Sequence, residues 1–315
     1  MKPVKSISLI PWSLLFAFFW GCQPRTQLMP GEGTLHLSGG SVWYRVEGEG
    51  NKTPLVLLHG GPGAPSYYLN PLAALADERP VVFFDQPGCG RSGPVEDVSK
   101  LTIGFFVDQM EELRQALGLD AFYLYGQSWG ATLATEYYLA HPTKVKALIL
   151  SSPLLSTERW VADTDQLITT LPDSVQAAIR LHEAAGSFDH ADYQHAMQVF
   201  YEQFVIRKQP WSEDVNQAFG SMAVDVYNHM WGPSEFTVTG VLKGYDVTGQ
   251  LGNIRVPVLY IAGEYDEARP ETVASFKELT PGARFVMIEG AAHLTMHDNP
   301  EEDIRHIRAF LRELE

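Results

Sequence analysis

The chain has 315 residues, 45% of them hydrophobic, which is enough to bury one large core or a core with an insertion; the second arrangement is favoured by the pattern described below. Its 23 Lys and Arg stand against 38 Asp and Glu, a formal charge of −15 that repels phosphate backbones and anionic lipid. Nucleic-acid binding is therefore not expected.

The first 22 residues differ from the rest. Lys2 and Lys5 make a positive start, residues 7–20 are almost wholly apolar, and Gly21-Cys22 follows, the layout of an export signal. The apolar run is shorter than the roughly 20 residues a bilayer span needs. A Cys after a small residue at this place resembles the bacterial lipoprotein signal, in which Cys22 becomes the lipidated first residue and membrane attachment follows. Phe19 and Trp20 depart from the Leu and small residue usual there, so ordinary cleavage and an uncleaved anchor stay open. A lipidated Cys22 leaves Cys89 alone, with no intrachain disulfide. The expected location is exported, as a membrane-anchored lipoprotein or a periplasmic protein.

Beyond the signal, residues 34–46 alternate as a strand does, and 54–59 form an apolar run ending in Gly60-Gly61-Pro62-Gly63, a strand followed by a turn. The cycle repeats with a strand at 80–85 before a Gly-rich turn, helical spacing over 102–117, a strand at 121–125, a helix after Ser128 and a buried strand at 145–151. Strands alternating with helices predict an α/β fold with a mostly parallel sheet covered on both faces. From 153 to 243 that rhythm stops and helix-period aromatics and Met take over, as in 191–205, so this stretch is read as an inserted helical cap. The rhythm returns with a strand at 256–263, a helix at 270–279, a strand at 284–289 and a helix at 301–315. The core then comprises 23–152 and 244–315, with the cap over the carboxyl ends of the strands, where open α/β sheets bind ligands.

Gly126-Gln127-Ser128-Trp129-Gly130 carries the chemistry. A Ser hydroxyl is a poor nucleophile until a base takes its proton, and Gly-x-Ser-x-Gly on a strand-to-helix turn holds it exposed beside such a base. The acid and the His should follow in that order, each past a later strand, and Asp266 and His293 fit. His297, Asp298 and Asp246 are rivals; the first two are expected to open the final helix beside Pro300. Acyl transfer also needs donors for the oxyanion, worth roughly 3 to 4 kcal/mol each, and the amides of Trp129 and Gly61 are the candidates. Such a route calls for neither metal nor cofactor.

These segments resemble those of the proline iminopeptidases, α/β-hydrolases that remove an N-terminal residue, typically proline, from peptides. His59-Gly60-Gly61-Pro62-Gly63, Asp85-Gln86-Pro87-Gly88-Cys89-Gly90-Arg91-Ser92 and the Ser128 pentapeptide are similar to three consecutive family signatures. The run from Tyr227 through Trp231-Gly232-Pro233-Ser234-Glu235-Phe236, with Gly263-Glu264-Tyr265-Asp266-Glu267, resembles the branch that includes the archaeal tricorn-interacting aminopeptidase. The resemblance implies that Glu235 and Glu267 bind the free amino group of a small peptide or amino-acid amide, with Tyr227 in the same pocket. The charge agrees, because a desolvated ammonium needs opposite charge and acceptor oxygens. Gln127 departs from the Gly that many members carry, and the export signal departs from a family expected to be cytoplasmic. An amino-acid amidase or esterase on the same scaffold, or a non-catalytic binding protein that kept the fold, are the alternative readings.

Overall fold

The computed structural model describes residues 28–315; the export signal and Cys22 lie outside the described residues. Successive strand side chains point to opposite faces. In β3 (Leu55–Leu58) Leu55 and Leu57 accordingly enter one buried cluster while Val56 and Leu58 enter another. A strand buried on both faces belongs in the middle of a covered sheet, and each fully buried Val or Leu contributes roughly 1.5 to 3 kcal/mol.

Among the described residues the sheet has eight strands. Before β3 come β1 (Gly31–Leu37) and β2 (Gly40–Glu47), and after it β4 (Val81–Phe84), β5 (Phe122–Gln127), β6 (Val145–Ser151), β7 (Val258–Gly263) and β8 (Arg284–Ile288). Their spatial order is β1-β2-β4-β3-β5-β6-β7-β8. The pairs β1/β2 and β2/β4 are antiparallel and all others parallel. The expected single strand at 34–46 is thus two strands, with Leu37 opposite Gly40 across a tight turn.

Strand order reverses at β3: the chain moves out to β4, then returns to β5 on the other side. Such a switch point opens a crevice at the carboxyl ends of the two strands. The turn 59–63 follows β3 and Ser128 follows β5, so both candidate segments arrive there.

Helices α1 (Ile103–Ala116) and α2 (Trp129–Ala140) pack on one face of the sheet through Phe106, Met110, Leu113, Leu133 and Tyr137. Thr102 caps α1 by accepting the Phe105 amide at 3.1 Å, worth about 1 kcal/mol. Between β6 and β7 the chain forms α3 (Thr157–Ile168), α4 (Asp173–Ala185), α5 (Ala191–Phe204), α6 (Glu213–Gly220) and α7 (Val224–Met230). After β7 come α8 (Pro270–Leu279), α9 (Thr295–Asp298) and α10 (Pro300–Arg312). Ile307, Phe310 and Leu311 of α10 cover the second face together with Leu69, Leu72 and Leu75 of a 3₁₀ stretch. His297 and Asp298 do not open α10 as expected. They lie in α9, and Asn299 caps α10 ahead of Pro300. Among the described residues no helix is long and apolar enough to cross a membrane.

Candidate active site

Ser128 sits between β5 and α2 with φ 57° and ψ −122°, a conformation that costs a non-glycine residue about 1 to 3 kcal/mol and persists only where its surroundings impose it. The neighbouring glycines show how. A Cβ on Gly126 would overlap the Gly130 carbonyl, and one on Gly130 would overlap the Leu58 carbonyl, so strand and helix approach more closely than any side chain allows. The Ser128 amide donates to the Ser151 carbonyl at 3.0 Å. Its side chain opens onto a cavity of about 460 Å³ shared with Gly61, Trp160, Tyr227, Glu235, Glu267 and His293.

Asp266 follows β7 and is 1% exposed. Its Oδ1 accepts the His293 Nδ1–H at 2.8 Å and the Ala268 amide at 2.9 Å. Oδ2 accepts the Gly263 amide at 3.1 Å and the Ser152 hydroxyl at 2.5 Å. With four donors around it the carboxylate is held in one orientation, and it fixes the tautomer that leaves Nε2 of His293 free to act as a base. The edge of Trp160 packs on the His293 ring at 5.5 Å and 82°. Sequence reasoning missed Ser152. Its φ of 47° is a backbone strain that places its hydroxyl on Asp266, and it stands 114 positions away in the chain, with only its place after β6 as a clue.

The two amides expected to meet the oxyanion belong to the turn after β3 and to the residue after Ser128. Gly61 has φ 108°, and among the described residues its N–H finds no acceptor. Trp129 is the first residue of α2, where a helix leaves its N–H groups unsatisfied. Behind them, the Tyr68 hydroxyl accepts the Gly60 amide at 2.5 Å and donates to Gln127 Oε1 at 2.7 Å. Gln127 Nε2 in turn reaches the His293 carbonyl at 3.4 Å. Gln127, where many family members carry Gly, thus ties the turn after β3 to the His293 loop.

Opposite His293 lie two further carboxylates. Glu235 follows α7 on a loop pinned by the Trp231 indole N–H, which points at the carbonyls of Ser234 (3.1 Å) and Glu235 (3.2 Å). Its Oε2 accepts the Tyr227 hydroxyl at 3.2 Å. Glu267, 4% exposed, places Oε1 3.6 Å from His293 Nε2, while its Oε2 has no hydrogen-bond partner among the described residues. Burial pushes the Glu235 carboxyl above its ordinary range, against the pull of His293 and Tyr227. Burial, then the charges of Glu235 and Asp266, push Glu267 well above it. The amides of Glu267 and His293 both donate to the Phe204 carbonyl at the end of α5, each at 3.2 Å.

The rivals lie elsewhere. Asp298 accepts the amides of Arg207, Lys208 and Ala292. His297 bonds the Tyr68 carbonyl at 2.7 Å and Ser212 at 3.3 Å. Asp246 holds Thr248 and Ser156. Cys89 is buried, and burial raises its thiol far above the range of reactive cysteines.

A crevice at the switch point of such a sheet, with a strained Ser after β5 and an Asp–His pair from the loops after β7 and β8, is the architecture of an α/β hydrolase, and residues 53–300 match the family described as alpha/beta hydrolase fold. A proline iminopeptidase of Heyndrickxia coagulans is 42% identical over 287 residues, 90% of this chain and 99% of the relative. The crystal structure of a proline iminopeptidase from Mycobacterium smegmatis superposes with a TM-score of 0.84 at 34% identity, covering 90% of this chain and 98% of that one. The crystal structure of VinJ gives 0.87 at 34% identity, over 91% and 100%. The chain belongs to the proline iminopeptidase family.

Proposed function

We propose that this protein is a serine aminopeptidase that releases an N-terminal residue, preferentially proline, from small peptides through an acyl-enzyme. The observation that carries the reading is a pair of carboxylates lining the cavity with His293, Glu267 buried with an unpartnered oxygen and Glu235 half-buried. In the absence of a cation, such a pair is costly to bury.

In this reading Glu235 and Glu267 hold the substrate's ammonium, and Tyr227 orients Glu235. A protonated proline nitrogen has two N–H bonds, one for each carboxylate. His293 Nε2 takes the proton of Ser128 as Oγ bonds to the first carbonyl carbon. The Gly61 and Trp129 amides stabilise the oxyanion, and Asp266 stabilises the imidazolium. The C–N bond breaks as His293 returns the proton to the leaving amine. Water, activated by the same His, then frees the amino acid. The helical layer over the crevice limits substrates to short ones.

The test compares proline 4-nitroanilide with its N-acetylated form. Hydrolysis of the first only, abolished by Ser128→Ala, is expected. Activity that survives Ser128→Ala removes the nucleophile, and equal cleavage of the acetylated substrate removes the amine site.

We further propose that the protein is exported and lipidated on Cys22. Lys2, Lys5, the apolar run 7–20 and Gly21-Cys22 support this. Globomycin-sensitive processing with a lipid-sized mass increase is the expected result; a mature N-terminus beyond Cys22 refutes it.

A further inference from the structure

Glu183 stands in the last turn of α4, three residues before Gly186, which ends the helix in the left-handed region at φ 64°. A carboxylate there faces the negative end of the helix dipole and is unfavourable by itself. Three hydroxyl donors converge on it. Oε1 accepts the Tyr193 hydroxyl of α5 at 2.5 Å. Oε2 accepts the hydroxyls of Ser234 at 2.9 Å and Thr237 at 2.5 Å.

Glu235 lies between the last two. The Ser234 hydroxyl oxygen also accepts the Thr237 amide at 3.1 Å, so one carboxylate ties down both ends of the four-residue loop that presents Glu235. The Trp231 indole holds the same loop from its carbonyl side, and Phe236 packs on Phe200 of α5 at 5.0 Å. Tyr193 lines the cavity itself, so the wall formed by α5 and the Glu235 loop share one anchor. All three partners donate, and a carboxylate offers two acceptor oxygens where an amide offers one.

We propose that Glu183 is a positioning residue that sets Glu235 against the substrate's ammonium group without touching the substrate. This rests on the amine-binding reading of Glu235 and deepens it. A lone carboxylate with a single hydroxyl donor, as Glu235 has in Tyr227, needs its backbone fixed if it is to meet a small cation at hydrogen-bond distance, and a shift of about 1 Å at such a site is costly.

A double-mutant cycle tests it, with Glu183→Gln and Glu235→Gln measured on proline 4-nitroanilide and on 4-nitrophenyl acetate, an ester with no amino group. Glu183→Gln should raise KM for the anilide about tenfold, change kcat little, and act far less on the ester. In the Glu235→Gln background the same substitution should add less than about twofold, because the group it positions has lost its charge. The Ser234→Ala, Thr237→Val double variant, which leaves Glu183 in place and removes its loop contacts, should reproduce the KM effect. An unchanged KM in Glu183→Gln, an equal loss on anilide and ester, or a full tenfold effect on top of Glu235→Gln overturns the proposal while leaving the amine site standing. An unchanged KM in Glu235→Gln alone overturns the amine site, and the proposal with it.

Discussion

Asp266 and Glu267 are consecutive residues of one loop and almost equally buried, yet their surroundings are opposite. Every direction in which Asp266 can accept is filled: an imidazole, two amides and a hydroxyl surround it. Glu267 keeps one buried oxygen with no partner among the described residues, beside a second carboxylate that raises its proton affinity. The first group finds all its partners within the protein, whereas in the proposed reading the second takes its partner from the substrate's ammonium. In that reading the two sides of His293 divide the work, the Nδ1 side facing a permanent partner and the Nε2 side facing the group that meets the substrate.

The largest expected effect breaks the permanent side. Asp266→Asn should lower kcat about 10⁴-fold with KM little changed, since the amide offers the wrong hydrogen-bonding partner to Nδ1; steady-state kinetics on proline 4-nitroanilide measure it. A smaller effect probes the exchanging side. Glu267→Gln should lower kcat/KM for free-amine substrates roughly 10- to 100-fold, with a much smaller loss on simple esters.

The same variant has a pH signature. Because the folded state raises the Glu267 carboxyl above its ordinary value of 4.5, its contribution to stability is present below that value and is lost as pH rises through the raised one. Glu267→Gln removes the loss. Its urea midpoint should match the parent's in mild acid and exceed it in mild alkali; a variant weaker at both would show that the carboxylate is structurally satisfied. The smallest effect belongs to Ser152→Gly, which fits the positive φ but deletes the hydroxyl on Asp266. About a fivefold loss in kcat is expected, and no loss would reduce Ser152 to a turn residue.

The central strands were legible because a strand buried on both faces is a continuous apolar run, and β3, β5, β6 and β7 all read that way. The first hairpin was not. Its turn spans only Ser38 and Gly39, too short to interrupt the alternation that the two strands share. Ser128, Asp266 and His293 could be nominated from motif and strand order, and Glu235, Glu267 and Tyr227 from family resemblance. Tyr68, Trp160, Ser152 and Glu183 could not, since each acts on a partner far away in the chain. Tyr68 reaches Gln127 across 59 positions and Glu183 reaches Thr237 across 54, and nothing local marks a hydroxyl or a helix-end Glu as belonging to a site.

The single carbonyl of Phe204 accepts the amides of both Glu267 and His293. A carbonyl has two lone pairs, and here one oxygen joins the loop after β7, the loop after β8 and the end of α5. The position of α5 at this point is therefore coupled to Asp266, Glu267 and His293: a displacement there either breaks these two bonds or carries the three residues with it. A substitution that disturbs the end of α5 is thus expected to reach the reacting groups without touching them, because this seam is the alignment pin of the machinery beneath it.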